Sequence, residues 1–322
     1  MVNIVNSEGN NHLCSEGVPT RIGGFEPAQV LFEKIKAQSI PRYTQLGEYW
    51  DRSAVEEHFE KRGVFWLALP ACVNPYSSVL QELPLIEKAL PWLNRRTHGR
   101  VMSFLGVGTG DVEIKIVEYC VVSADNSKPL LVEAIDLNSL FLDYFFAGVY
   151  QVSKSVRPES KGAILSRGVH GYFQHLGELP ICIDGESYVY FLIGNTLSNF
   201  PDQQMAAAMF TRFLVPGDYL VIGVRQAIDD DYTLELYRDN PWLYQFMDEC
   251  MDVVQWAITE VHTIRAVEMR AGRERFLTRS YTIDQLRGLF PQFVLERYWQ
   301  TVGDGGSSHL KRGAILAVFK KL

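Results

Sequence analysis

Between residues 100 and 224, short continuous apolar runs alternate with longer segments of helical pattern, and this alternation constrains the fold more than any other feature of the chain. The runs at 101–105, 129–136, 163–168, 188–193 and 218–224 read as strands, the last two of them apolar on both faces. Such runs suit a parallel sheet covered by helices on either side. Segments 111–119, 138–152 and 201–214 read as the helices between them. This βαβαβ rhythm predicts a doubly wound α/β sheet with its ligand at the carboxyl ends of the strands. The chain closes differently. Two more strands, 294–302 and 314–319, are joined by the turn-rich Gly303-Asp-Gly-Gly-Ser-Ser308 with no helix, so they are expected to pair antiparallel.

Outside the alternation, residues 1–22 are polar and expected to be flexible, and 27–38, 53–61 and 78–92 read as helices. The aromatic-rich stretch 39–50 is broken by Pro41. After residue 224, segments 232–237 and 241–259 read as helices, 263–276 as a hairpin and 282–289 as a short helix. With 47% apolar and 21% charged residues, the chain has the composition of an ordinary globular protein. A net charge of −7 argues against a nucleic-acid partner and against a polybasic membrane contact. The five cysteines are far apart with no C-x-x-C pair, as expected of reduced, buried thiols. The N-terminus lacks the basic and apolar regions of a signal peptide, and no apolar run reaches the ~20 residues of a membrane span. A cytoplasmic location is the expectation.

The first strand of the alternation opens into Gly106-Val-Gly-Thr-Gly110, ahead of a helix starting near Asp111. Glycines here let backbone N–H groups approach a ligand that a Cβ would block; the other reading is a plain strand-to-helix turn. The spacing lacks the last glycine of the dinucleotide fingerprint. It fits better the loop that S-adenosylmethionine-dependent methyltransferases wrap around the amino-acid end of their cofactor. Asp136 ends the second strand, where a carboxylate accepts hydrogen bonds from both ribose hydroxyls of a nucleoside cofactor, or else caps the next helix. Gly194-Asn-Thr-Leu-Ser-Asn-Phe-Pro201 follows the central strand, where a methyl acceptor would lie. The Asn199 amide both donates and accepts, suiting an amine and a carboxylate, although Asn195 and Asn199 also read as turn formers. Tyr43, Tyr49, Tyr232, Tyr237 and Tyr244 suit packing, or cation–π and hydroxyl contacts beside a sulfonium. His170, His175 and His262 show no metal-ligand spacing, so no metal is expected.

The chain resembles the histidine Nα-methyltransferase family of ergothioneine biosynthesis. The resemblance rests on Leu31-Phe-Glu-Lys-Ile35 with Pro41-Arg-Tyr43, on Phe104-Leu-Gly-Val-Gly-Thr-Gly110, and on Ala134-Ile-Asp-Leu137. It continues through Phe191-Leu-Ile-Gly-Asn-Thr-Leu-Ser-Asn-Phe200, Pro216-Gly-Asp218 with Ile222-Gly-Val224, Tyr237-Arg-Asp-Asn-Pro241, Val267-Glu-Met269 and Ser280-Tyr281. It implies a class I S-adenosylmethionine-methyltransferase (Rossmann-like) sheet with a C-terminal antiparallel hairpin, plus a second, mixed α/β substrate-binding domain. The implied methyltransferase domain spans 92–224 and 281–322, and the substrate-binding domain spans 23–91 and 225–280.

By the same resemblance, S-adenosyl-L-methionine lies on Gly106, Val107, Gly108, Thr109 and Gly110, on Asp136 and Leu137, and beside Gly171, Tyr172, Gly194 and Asn195. Asn199 and Tyr43 are the implied catalytic pair, holding the amino-acid part of the acceptor, with Tyr237, Met269, Phe276 and Thr278 completing the acceptor site. Two departures stand out. Phe276 and Thr278 occupy the places of the Glu and Ser that give the family its histidine specificity, and a phenyl ring favours an apolar or aromatic group over an imidazole. In the run His170-Gly-Tyr-Phe173, Gly171 replaces the Asp that holds the adenine amine. The expected activity is therefore N-methylation of an amino acid or an amino-acid-derived small molecule, aromatic or indole-like rather than histidine. The expected assembly is a monomer or weak homodimer. The alternatives are an O- or C-methyltransferase of a phenol or indole, a dehydrogenase or other nucleotide-binding protein, and a non-catalytic relative.

Overall fold

The computed structural model describes residues 25–37, 44–46, 78–108, 110–123, 129–156, 164–173, 187–247, 249, 251–301 and 313–322. Two short strands, β1 (Glu26–Pro27) and β2 (Thr44–Leu46), flank helix α1 (Ala28–Lys36). Helix α2 (Ser78–Thr97) leads into the alternation: β3 (Val101–Leu105), α3 (Asp111–Ser123), β4 (Leu130–Asp136), α4 (Ser139–Val156), β5 (Ile164–Gly171) and β6 (Tyr188–Leu192). A 3₁₀ turn (Thr196–Asn199), α5 (Gln203–Phe213) and β7 (Tyr219–Arg225) follow. Next come α6 (Asp230–Arg238), α7 (Pro241–Met247), β8 (Val254–Glu260), β9 (Thr263–Glu268) and β10 (Glu274–Arg279). The chain closes with α8 (Ile283–Leu289), β11 (Phe293–Gln300) and β12 (Ala314–Lys321).

The main sheet has the order β1-β5-β4-β3-β6-β7-β12-β11, with β2 also beside β5. From β5 to β7 all neighbours are parallel, whereas β12 inserts antiparallel between β7 and β11. This is the expected doubly wound sheet with its closing hairpin. The direction of winding reverses between β3 and β6, which opens a crevice at their carboxyl ends, where ligands of such sheets bind.

Both faces of the sheet are covered, which explains why its central strands are mostly apolar on both faces. On one face Leu85, Ile86, Ala89 and Leu93 of α2, with Ile116 and Phe145 from α3 and α4, pack on Phe104, Phe191, Val221 and Leu316. On the other, Phe210 and Phe213 of α5 with Leu286 of α8 pack on Leu105, Tyr190, Leu220 and Phe319. A third cluster of Tyr237, Leu243, Met247, Val254, Ile264 and Phe276 lies between α6, α7 and the separate antiparallel sheet β10-β9-β8.

One expectation changes. The helix read over 241–259 ends at Met247; a 3₁₀ turn (Met251–Val253) and then β8 follow. In Val254-Gln-Trp-Ala-Ile258 the apolar residues alternate with period two, and pairing with β9 rewards that pattern. The domain limit expected at 91/92 falls inside α2, which packs on the main sheet on both sides of that point through Leu85, Ile86, Ala89 and Leu93. No described helix is long and apolar enough to cross a membrane.

Candidate functional site

The crevice starts where β3 ends. Gly106, Gly108 and Gly110 all take positive φ, of 70, 52 and 73°, which L-residues with side chains rarely adopt. Gly106 N–H donates to the Ile135 carbonyl at 2.8 Å and thereby ties the loop to the end of β4. A Cβ on Gly106 would stand 3.1 Å from Cγ2 of Thr196 and 3.6 Å from the Phe173 ring, so the loop, the β5 end and the β6 turn close around one space. Gly110 N–H donates to the Val107 carbonyl, and its own carbonyl accepts from Ile114 N–H to begin α3.

Asp136 stands beside this loop. Its carboxylate accepts from Asn138 N–H at 2.8 Å and from Gly108 N–H at 3.3 Å. The helix-cap role belongs instead to Asn138, whose Oδ1 accepts from Leu140 N–H at 2.9 Å at the start of α4. Burial pushes the Asp136 carboxyl from 3.8 up to about 7, against the pull of the Asn138, Gly108, Val107 and Leu137 N–H groups. Leu137 offers its carbonyl to His170 Nε2 at 3.0 Å, which fixes the β5 end beside Asp136. Gly171 ends β5 opposite Leu46 of β2, and the Tyr172 and Phe173 rings follow it at the rim.

Two further carboxylates enter the same edge of the sheet. Glu82 is fully buried on α2, and its Oε2 accepts from Gly194 N–H at 2.9 Å. Burial raises it from 4.5 to about 7 although the Gly194 and Asn195 N–H groups and Arg225 favour its charge. Glu113, 5% exposed on α3, is raised by burial to about 8, with the charges of Glu82, Asp111 and Asp136 adding to the rise. Three acids thus meet at one end of the sheet, each held out of water. Only Asp136 was read from the sequence. Glu82 had a signal: it stands at helical spacing ahead of Leu85, Ile86, Ala89 and Leu93, an acid on an otherwise apolar stripe.

The β6 turn is braced from a distance. Asn195, at φ 66°, keeps its side chain within the protein: Oδ1 accepts from Ser198 Oγ at 2.6 Å and from Arg225 N–H at 2.9 Å, and Nδ2 donates to Thr278 Oγ1 at 3.2 Å. Its side chain therefore braces the turn instead of facing the glycine loop, and Thr278 is taken up in the same brace. Arg279 adds bonds to the Phe200 and Pro201 carbonyls. Asn199 closes the turn half-buried, with no hydrogen bond from its amide to any described residue.

Tyr237 is nearly buried, its hydroxyl accepting from Arg225 Nη2 at 3.4 Å and its ring stacked on Trp256 at 6.3 Å. Phe276 has no exposed surface; it packs under Tyr237 at 5.3 Å, so it acts as core and presents no face to a ligand in this structure. Met269, 56% exposed after β9, lies in the turn to β10. Tyr43 and Thr109 fall outside the described residues. Among the described residues, no group of His, Cys, Asp and Glu has the arrangement of a metal site.

No family model matches the sequence, and no curated protein does. Solved structures do resemble it. An S-adenosylmethionine-dependent methyltransferase from Anabaena variabilis, 12% identical, matches over 87% of this chain and 98% of its own with a TM-score of 0.49. The 1,6-didemethyltoxoflavin-N1-methyltransferase of Burkholderia thailandensis, solved with its substrate and S-adenosylhomocysteine, is 14% identical over 86% of this chain and 93% of its own, with a TM-score of 0.44. A Methanosarcina mazei protein described as an S-adenosylmethionine-dependent methyltransferase is 17% identical over 72% of this chain and 97% of its own, with a TM-score of 0.43.

Proposed function

We propose that the chain is an S-adenosylmethionine-dependent N-methyltransferase of an amino acid or an amino-acid-derived small molecule. The observation that carries this reading is the charge of the crevice. Glu82, Glu113 and Asp136 are buried around a glycine loop, and each is driven toward its neutral form by lack of solvent. A ligand bearing positive charge relieves that cost, whereas the diphosphate of a dinucleotide adds to it. S-adenosylmethionine carries a sulfonium and an ammonium, and when bound it supplies an electrophilic methyl group.

The residues fit such a group. The three glycines of the Gly106–Gly110 loop hold positive φ without a Cβ, so the loop bends tightly at the end of β3, and Asp136 is released from capping to accept from ribose hydroxyls. Leu137 and Tyr172 border that place. Gly194 begins the turn that presents the half-buried Asn199 amide, which with Tyr43 holds and orients the acceptor. Holding a neutral amine in line with the methyl group is the main source of rate in such a reaction, since orientation alone is worth several orders of magnitude. Tyr237 forms part of the acceptor wall. Phe276 behind it is core and touches no ligand, so what supports an aromatic or indole-like acceptor over histidine is that no carboxylate stands at that place to pair with an imidazole.

Thermal-shift titration tests the proposal. S-adenosylmethionine and S-adenosylhomocysteine should raise the unfolding midpoint and NAD should not, because only a ligand of the native state stabilises it. A shift with NAD and none with S-adenosylhomocysteine would refute the reading.

A further inference from the structure

Glu82 and Arg225 are two buried, oppositely charged side chains that do not touch. Glu82 has no exposed surface and Arg225 has 6%. Glu82 Oε2 is used by Gly194 N–H, but Oε1 has no hydrogen-bond partner. Arg225 Nε is likewise without one, and among the described residues its guanidinium meets Tyr237 alone, through a 3.4 Å contact to the hydroxyl and a cation–π contact 5.4 Å from the ring centroid. An unpaired buried Nε is shared by Arg275 and Arg279, but their guanidinium ends have strong acceptors, as does that of Arg167: Arg167 pairs with Glu133, Arg275 with Glu249 and Glu268, and Arg279 with two carbonyls, whereas Arg225 has neither a carboxylate nor a carbonyl among the described residues. The Arg225 charge is close enough to favour ionised Glu82, yet among the described residues no ion pair joins them.

The surroundings are built to keep this acid inside. Gly223 lies in the middle of the fully buried β7, where a side chain would ordinarily pack against α2. A Cβ at that position would stand 2.9 Å from the Glu82 carboxylate carbon. The strand therefore gives up a side chain to make room for a carboxylate whose second oxygen is idle. A buried acid and a buried base that each keep a free polar atom cost stability unless something completes them.

We propose that Glu82 and Arg225 form a clamp for a zwitterionic α-amino-acid head group, Glu82 taking the ammonium and Arg225 the carboxylate. The proposal rests on the methyltransferase reading, in which two ligands carry such a head: the cofactor at its methionine end and an amino-acid acceptor. The clamp lies at the end of β6 and β7, beside the Gly194 turn that faces both. It selects for the free amino acid over the decarboxylated amine, a discrimination the glycine loop alone does not provide.

The test uses isothermal titration at about pH 8 with S-adenosylhomocysteine and with 5′-methylthioadenosine, which lacks the head group. Glu82→Gln retains an oxygen for Gly194 N–H and removes the charge; Arg225→Gln removes the other. If the clamp holds the cofactor, each variant weakens S-adenosylhomocysteine about tenfold or more and leaves 5′-methylthioadenosine within about twofold. If it holds the acceptor, both nucleosides bind unchanged, while L-tryptophan, titrated into the S-adenosylhomocysteine complex, loses affinity and tryptamine does not. Unchanged binding of all four probes in Glu82→Gln, with the wild type binding the nucleosides, overturns the clamp. If the Arg225 variant unfolds, the Glu82 variant decides alone. Failure of the wild type to bind either nucleoside is a different result, and it refutes the methyltransferase reading itself.

Discussion

Replacing Asp136 by Asn should stabilise the ligand-free protein at high pH while disabling its cofactor site. The carboxyl of Asp136 stands at about 7 in the native protein against 3.8 for an ordinary aspartate. Because the native value is the higher one, the folded protein keeps a proton that the unfolded chain has already released, and stability falls as pH rises through that window. Integrated from about pH 5 to about pH 8, this single group costs the native state roughly 2 to 3 kcal/mol. Asparagine does not titrate and escapes that cost. Urea denaturation of both proteins at the two pH values measures it, and the stability difference between variant and wild type should grow in favour of the variant by that amount. The absolute offset at either pH also contains the hydrogen bonds from Gly108 and Asn138 N–H, which asparagine accepts less well. The change with pH comes mainly from Asp136 itself, with a smaller part from Glu113, whose rise the Asp136 charge adds to. The same variant should bind S-adenosylhomocysteine about ten- to a hundredfold more weakly, since hydrogen bonds to a charged partner are worth roughly 1.5–3 kcal/mol. A stability difference that stays flat between the two pH values would refute the assignment of Asp136 as a carboxylate strained by burial.

Three other outcomes are expected. Gly106→Ala combines a positive φ with a Cβ placed 3.1 Å from Thr196; it should remain folded, lose roughly 1–2 kcal/mol and bind S-adenosylhomocysteine poorly by calorimetry. Asn199→Ala should reduce methyl transfer to the acceptor far more than cofactor affinity, and an equal loss of both would remove Asn199 from its assigned role. Phe276→Ala should cost about 3–5 kcal/mol in urea denaturation, because the ring is fully buried. An altered acceptor preference with stability intact would instead make Phe276 a direct contact.

The sheet was legible because each of its central strands is buried on both faces and therefore mostly apolar, with a few buried polar residues such as Ser103, Glu133 and Arg167. The bounds of β3 were read residue for residue, and the ends of β4, β6 and β7 to within one residue. Legibility failed where one face is open to solvent. In β8 the exposed Gln255 and Thr259 dilute the apolar signal to an alternation that a helical reading absorbed. At the site, the loop and Asp136 were visible because local spacing defines them. The partners of Asn195 and of Glu82 come from residues 83 and 112 positions away, and no local pattern records such a meeting. The acceptor reading of Phe276 shows the same limit. Its position in a motif was readable, but whether its ring faces a ligand or the core depends on Tyr237 and Trp256 folding over it.

The bond from Asn195 to Thr278, with those from Arg279 to the Phe200 and Pro201 carbonyls, bears on how this protein is open to redesign. The hairpin strand β10 is a structural member of the turn that follows β6. On the proposed methyltransferase reading, a segment such as 225–280 would serve as an acceptor cassette to be exchanged while the rest of the chain stays untouched. In this chain an exchange would also remove the hydroxyl that satisfies Asn195 and the guanidinium that anchors the turn. Any transplant has to carry residues 278 and 279 with it, or replace Asn195 in the recipient. New acceptor specificity is therefore easier to reach by substitutions within the resident hairpin than by swapping it whole.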